Sequence, residues 1–456
     1  MPQRVTAIST LTLIITLACG LWVQAGTNLE LTLEEAIQLA VTNQLNLGAA
    51  QAGVTEAEAR VAKAKASRWL TGNLSSSYTR LQEAPPNIGI STDPSESTFP
   101  FSVKPGSNNI YSSSIRLQWP LYTGGKIRSG IELAQYGVDA ATVEYEKQYD
   151  QTIYQAIQGY VNLLRADGFV QLSQQFVETI EEHLKVITTN YQLGYVTRTD
   201  LLETEIRKSQ AEQGLLKATH GRRLAEESLK NLLGLSATEE LLLAELPAIS
   251  SDLRLPTLEE AVALALQSRP ELVGLEITKG MAAKNLVLAQ AYLQPTVALV
   301  GSYGTQQATT LADSFAEGDW MVTVSAQWNF FDSGTGRAGV REAQAGLEKI
   351  EHSWQQARNG IELEVKQKHL TVTESRLARE LAGLSLEKAR ENYEFIKAKY
   401  DLGAATNLEL LTAQNTLNQT LNEELNAEYD YYLAVVDLYK ALGQVDQFLV
   451  GVDENA

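Results

Sequence analysis

The sequence predicts a mainly α-helical chain with a smaller β contribution, written as two copies of one module. Three observations predict it. The helix opening TLEEAIQLAV at residues 32–41 returns as TLEEAVALAL at residues 257–266. Three further landmarks repeat 209 positions apart: LQWPLYTGG (117–125) with AQWNFFDSG (326–334), YQLGYVTRTDLL (191–202) with YDLGAATNLELL (400–411), and NLLG (231–234) with KALG (440–443). Finally, no proline occurs from residue 121 to 246 or after Pro295. Long proline-free stretches rich in Ala, Leu, Glu, Gln and Lys favour helix.

A period near 210 residues is too long for a solenoid unit and marks two halves of one fold. The expected layout is a leader at 1–25, a first repeat at 26–256 and a second at 257–456. Each repeat holds an entry helix, a β-hairpin and a long helical hairpin; a linker closes the first and a C-terminal tail the second. The offset drops from 225 to 209 where the loop at 83–109 is matched only by the shorter 305–319, as expected of exposed loops.

The leader has a cationic start at Arg4, the apolar run LTLIITLACGLWV and a small-residue site, QAG. This is the pattern of a secretory signal cleaved after Ala25. The run is shorter than the ~20 residues of a membrane span. Cys19, the only cysteine, lies in TLAC, which resembles a lipoprotein acylation box with Thr16 in place of leucine. Cleavage after Ala25 leaves a mature chain without disulfides or thiolate ligands.

Entry helices are expected at about 32–70 and 257–294, and long helices at about 125–192 and 334–401. At 1.5 Å per residue each long helix reaches roughly 100 Å. Phe169, Leu172, Phe176, Ile180, Leu184, Ile187 and Tyr191 recur at spacings of three and four, a coiled-coil-like seam. Gly194 and Gly403 then cap the long helices, and Thr197 and Thr406 cap the returning limbs at about 197–233 and 406–442. A returning limb and an entry helix laid end to end match one long helix; lengths alone leave the stacking pair open.

Between entry and long helix the pattern switches to period two. Tyr111, Ser113, Ile115, Leu117 and Trp119 share one face, as do Trp320, Val322, Val324, Ala326 and Trp328. NLSSSYTR and PTVALVGSYG are the partner strands. An apolar face bounded by aromatics (Tyr111, Trp119, Trp320 and Trp328) is the signature of a transmembrane β-strand with its aromatic girdle. Four strands cannot close a barrel, and an open sheet edge is not tolerated in lipid. The chain must therefore share its barrel with further copies of itself.

The paired TLEEA openings, the junctions QWPLYTGGK and QWNFFDSGTGR, and the two tip motifs in duplicated order resemble the TolC-like outer-membrane efflux protein family. The resemblance covers nearly the whole mature chain. It implies a homotrimer in the cell outer membrane, with a twelve-stranded barrel in lipid continuing into a periplasmic α-helical tunnel. It further implies an inner-membrane pump and a periplasmic adaptor (membrane fusion protein) at the tunnel mouth. Gly194, Tyr195, Val196, Thr197, Gly403, Ala404, Ala405 and Thr406 would be the adaptor-contacting tips. Glu409 matches a constriction carboxylate, Thr412 stands where some members carry a second one, and Ala405 replaces a tethering arginine.

The remaining composition excludes other classes. With 37 Lys plus Arg against 55 Asp plus Glu, a formal charge of −18 and no basic stripe, nucleic acid is not an expected partner. His183, His220, His352 and His369 are scattered without metal-ligand spacing. TGGK and GTGR lack the GxxxxGK[ST] phosphate loop. No cofactor, metal or catalytic site is expected, and transport energy must come from a partner. A secreted coiled-coil scaffold or adhesin without a pore is the alternative reading.

Overall fold

The structure, a computed structural model, describes residues 30–83, 86–90, 101–105, 108–236, 241–246, 255–308, 311–316 and 318–448. The expected leader and Cys19 lie outside them. In chain order the elements are β1 (Glu30–Leu31), α1 (Leu33–Asn43), α2 (Leu45–Ala66), β2 (Thr71–Arg80), β3 (Pro86–Ile90), β4 (Phe101–Pro105), β5 (Asn109–Tyr122), α3 (Lys126–Gln192), α4 (Arg198–Leu233) and β6 (Leu242–Leu243). The second half follows as α5 (Leu258–Ser268), α6 (Pro270–Ala291), β7 (Thr296–Ala308), α7 (Leu311–Ala316), β8 (Asp319–Gln327), α8 (Thr335–Asp401) and α9 (Asn407–Ala441).

The long helices α3 and α8 have 67 residues each, within a residue of the expected bounds. The entry helices differ from expectation: each is two helices, broken at Gln44 and Arg269, whose backbones are extended. At Arg269 the cause is local, because Pro270 disfavours helical geometry in the residue before it. At Gln44 no proline is present; the neighbouring Asn43 instead donates its side-chain amide to the Leu233 carbonyl that ends α4, at 2.9 Å. Thr32 and Thr257 open α1 and α5 with matching capping boxes to Glu35 and Glu260. Three further features have no counterpart in the sequence reading: the β3–β4 hairpin and the short α7, both within the expected loops, and the parallel β1–β6 pair.

The stacking left open by length is settled. The end of α4 meets the α1–α2 junction at Asn43, while the end of α9 meets the α5–α6 junction, where Arg269 donates to the Lys440 carbonyl at 3.2 Å. Each returning limb therefore continues into the entry helix of its own repeat. Helix α3 packs against α4 and α2 on one side and α9 and α6 on the other, and α8 packs against α9 and α6. Among the described residues the layer thus has two free flanks, α4 with α2 at one side and α8 at the other.

The core lies where these stacks join. Ile157, Tyr160, Val161 and Leu163 of α3, Leu229 and Leu233 of α4, Val365 of α8, and Val435 and Leu438 of α9 are fully buried there, with Ala36, Ala40, Ala261 and Ala265 from the entry helices. The Tyr160 hydroxyl shares its proton between the carbonyls of Leu31 (2.8 Å) and Ala244 (2.7 Å), pinning the segments around β1 and β6 to α3. Its burial pushes the phenol up to about 12.

The main sheet has four antiparallel strands in the order β2-β5-β7-β8. The repeat holds at the level of register. Leu74 pairs Ile115 and Ser76 pairs Ser113 in the first half; Leu299 pairs Val324 and Gly301 pairs Val322 in the second, each at the offset of its strand. Cross-strand partners share a face, so Leu74, Ile115, Leu117, Trp119, Leu299, Tyr303, Trp320, Val322 and Val324 form one apolar face. Asn73, Ser75, Ser77, Ser114, Arg116, Ser302, Thr323 and Ser325 form the other. Every residue of β2 and β8 is exposed.

Two junctions feed the sheet into the long helices. Gly124 and Gly125 take φ of +61° and +89° before α3; Ser333 and Gly334 take +56° and +89° before α8. Asp332 secures the second turn by accepting from the amides of Gly334 (3.0 Å) and Gly336 (2.6 Å).

Candidate functional site

The two tips are near replicas built by the same local chemistry. After α3, Gly194 at φ +77° lets the Tyr195 amide reach back to the Asn190 carbonyl at 2.8 Å. After α8, Gly403 at φ +75° lets the Ala404 amide reach the Lys399 carbonyl at 2.8 Å. Leu193, Tyr195 and Leu402 project into solvent, while Val196 and Ala405 are half-buried.

Thr197 and Thr406 cap the returning helices as the sequence predicts, and each closes a full capping box. Asp200 Oδ2 accepts from the Thr197 amide at 2.9 Å and its hydroxyl at 2.6 Å. Glu409 Oε2 accepts from the Thr406 amide at 2.7 Å and its hydroxyl at 2.9 Å. Those two bonds, the amide's first, hold the Glu409 carboxyl below the usual carboxylate range. Glu409 is exposed, yet its carboxylate is turned back onto its own helix start. Thr412, one turn further on, is also exposed and donates to the Leu408 carbonyl at 2.7 Å. Asp200 is the first-repeat copy of Glu409; the shared T-x-x-[DE] spacing of TRTD and TNLE is the signal that finds it.

Sequence reasoning missed the polar junction behind these caps. Asn407, the first residue of α9, is 4% exposed and bridges three helices. Its Oδ1 lies 2.7 Å from His183 Nε2 on α3, and its Nδ2 donates to the Asp200 carbonyl (3.2 Å) and the Thr204 hydroxyl (3.4 Å) on α4. Tyr400 of α8 sets its ring against His183, edge to face, at 5.5 Å. No sequence signal links His183 to a residue 224 positions away.

At the opposite end, Trp320, Trp119 and Trp328 are exposed, and Tyr111 is half-buried with its ring 4.9 Å from Tyr78. Trp328 falls outside β8, contrary to the alternation: the strand ends at Gln327. The Trp328 indole N–H instead donates to the Leu293 carbonyl at 3.1 Å, at the end of the entry segment. Among the described residues no helix is long and apolar enough to cross a membrane, and no group of His, Cys, Asp or Glu is placed to hold a metal ion.

Duplicated helical hairpins about 100 Å long, beneath a four-stranded sheet with one apolar face, are the subunit architecture of an outer-membrane exit channel. The chain belongs to the outer membrane efflux protein family, whose model matches residues 36–235 and 261–444. It is 24% identical over 424 residues to the pyoverdine export outer membrane protein OpmQ of Pseudomonas putida, covering 90% of this chain and 85% of OpmQ. It is 21% identical over 376 residues to TolC of Escherichia coli, covering 79% and 75% of the two chains. The solved outer membrane protein VceC of Vibrio cholerae superposes with a TM-score of 0.74 at 18% identity, over 90% of this chain and 96% of VceC. The TolC-like resemblance therefore stands. The family consists of transport channels rather than enzymes and indicates an outer-membrane location.

Proposed function

We propose that this chain is one third of a homotrimeric exit duct for a tripartite efflux or type I secretion system. Three four-stranded sheets would join into a twelve-stranded barrel in outer-membrane lipid, and the helices would continue into the periplasm as a tunnel. A periplasmic adaptor and an inner-membrane pump would engage the tips at Gly194–Thr197 and Gly403–Thr406.

One observation carries the reading: the sheet and the helical layer are open at the same two sides. Strand β2 follows α2 on one flank, and β8 precedes α8 on the other, so one neighbour completes both layers. The flanks also carry unburied apolar seams. Leu363, Leu370, Leu377 and Leu384 recur every seven residues on exposed α8, and Leu202, Ile206, Leu216 and Leu224 are exposed on α4. Lipid cannot hydrate the bare edges of β2 and β8, so they call for strand partners.

Within the tunnel mouth, Glu409 and Thr412 lie on an exposed face of α9, where three copies would form the constriction. The cap bonds keep Glu409 ionised, so three copies would favour cations. Pyoverdine is the cargo in OpmQ's name; the shared duct supports passage without covalent change, not that particular cargo. The test is single-channel recording in planar bilayers, where the purified protein is expected to conduct with cation preference. Glu409→Gln is expected to weaken that preference; unchanged selectivity would remove Glu409 from the constriction, and no conductance from any preparation would remove the duct.

A further inference from the structure

We propose that the His183–Asn407 junction is a proton-released latch joining the two helical hairpins of a chain at their tips, so that acid favours an open mouth. This rests on the exit-duct reading and adds a regulatory input to it.

The geometry places the latch where opening must act. Parting the tips moves α9 away from α3 and α4, and Asn407 is bonded to both. The buried residues nearest in sequence on the two helices are Val177, Ile180 and Ile187 of α3 and Leu410 and Leu411 of α9, all apolar; besides His183 and Asn407, Thr204 of α4 and Gln414, two turns up α9, are the buried polar side chains of this region. Three directed bonds meet at this one side chain, and parting the hairpins breaks all three.

The chemistry makes the latch sensitive to protons. The Asn407 carbonyl oxygen accepts, so His183 carries its proton on Nε2, and Nδ1 is left to take a second. His183 is 7% exposed. From α8 it faces the Tyr400 ring and the Asp401 carboxylate; from α4, Asp200, whose carboxylate is tied to Thr197; from α9, Asn407, with Glu409 tied to Thr406. On its own helix the residues a turn away are Thr179, Ile180, Val186 and Ile187, none charged. Burial outweighs the Asn407 bond and the attraction of Asp401, holding the imidazole below its ordinary range. The latched state therefore keeps His183 neutral. Once the hairpins part, the exposed ring binds a proton near the usual value of about 6.5, so falling pH through that range favours parting.

The repeat adds a second consequence. Positions 209 residues away from His183 and Asn407 are Asn392 on α8 and Arg198 on α4, both exposed in the single chain. They would face each other across the boundary between neighbouring copies. Neither side chain titrates near neutral pH. Acid would thus loosen the crossings inside each chain and leave those between chains intact.

The experiment compares wild type, His183→Gln and Asn407→Ala in planar bilayers between about pH 7.5 and about pH 5.5, across the histidine range. Glutamine keeps a donor for Asn407 but takes no proton. Wild-type open probability is expected to rise about fivefold or more on acidification. His183→Gln is expected to stay flat, and Asn407→Ala to be raised at both values. In parallel, spin labels on Val186→Cys and Leu408→Cys, both exposed positions, report the α3–α9 separation, which is expected to lengthen with acid in wild type only. A wild-type separation that ignores pH, or an equal response in His183→Gln, overturns the latch. Acid-lengthened separation without conductance would support the latch and count against the duct.

Discussion

The waist and the sheet of this chain follow opposite physical rules. At the waist, Ile157, Tyr160, Val161, Leu163 and Val435 are removed from water, and α1, α3, α4, α5, α6, α8 and α9 all contribute. In the sheet, β2 and β8 leave each side chain exposed, and no described residue covers Trp320, Val322 and Val324. The difference teaches where the chain completes its own folding and where it depends on surroundings. Removing apolar surface from water stabilises the waist within one copy; in the proposed duct the sheet's apolar face would gain from lipid and its edges from neighbouring copies.

Substitutions can break that contrast. Ile157→Ala, which opens a cavity in the waist, is expected to cost about 2–5 kcal/mol and to lower the melting temperature of the detergent-solubilised protein by circular dichroism. Val324→Arg, on the sheet's apolar face, is expected to disfavour membrane insertion by about 2–4 kcal/mol with the helical signal intact. If Val324→Arg instead unfolded the helices, the two regions would not be separable. Tyr160→Phe takes the hydroxyl from the Ala244 carbonyl, while the Leu31 carbonyl keeps the Ala244 amide, and should cost about 1–3 kcal/mol, read as a lower denaturation midpoint. Smallest, Thr197→Ala and Thr406→Ala should each cost about 1 kcal/mol and speed hydrogen exchange in the first turns of α4 and α9 alone. Unequal effects would mean that the two tips are not equivalent.

Much of this architecture could be read from the residues because the signals are local and written twice. The long helices, tip glycines, capping threonines and alternation of β5 and β8 all follow from spacing within a few residues. Pro270 is a local signal for the break before α6 that the expected unbroken entry helix passed over, whereas the break at Gln44 lies beside Asn43, which reaches Leu233 far along the chain. Trp328 fits the period of β8, and only its bond to the Leu293 carbonyl reveals that the strand has ended. Glu409 could be picked out as a tip carboxylate, but not its commitment to Thr406. His183, Asn407 and Thr204 come together through the crossing of two hairpins, a contact that no periodicity encodes.

The repeat also predicts how copies of the proposed duct would join. Within the chain, β5 pairs β7 with Leu117 opposite Gly301 and Ile115 opposite Tyr303. In the proposed barrel, carrying each strand to its counterpart would place β8 of one copy beside β2 of the next, with Ala326 opposite Ser76 and Val324 opposite Tyr78, matching the shared apolar face. The most direct measurement is oxidative cross-linking of the double variant Ala326→Cys with Ser76→Cys in purified membranes. A covalent trimer, absent when Ser76→Cys is replaced by Ser75→Cys, is the expected result. Monomers alone, or equal cross-linking from both pairs, would contradict the shared barrel.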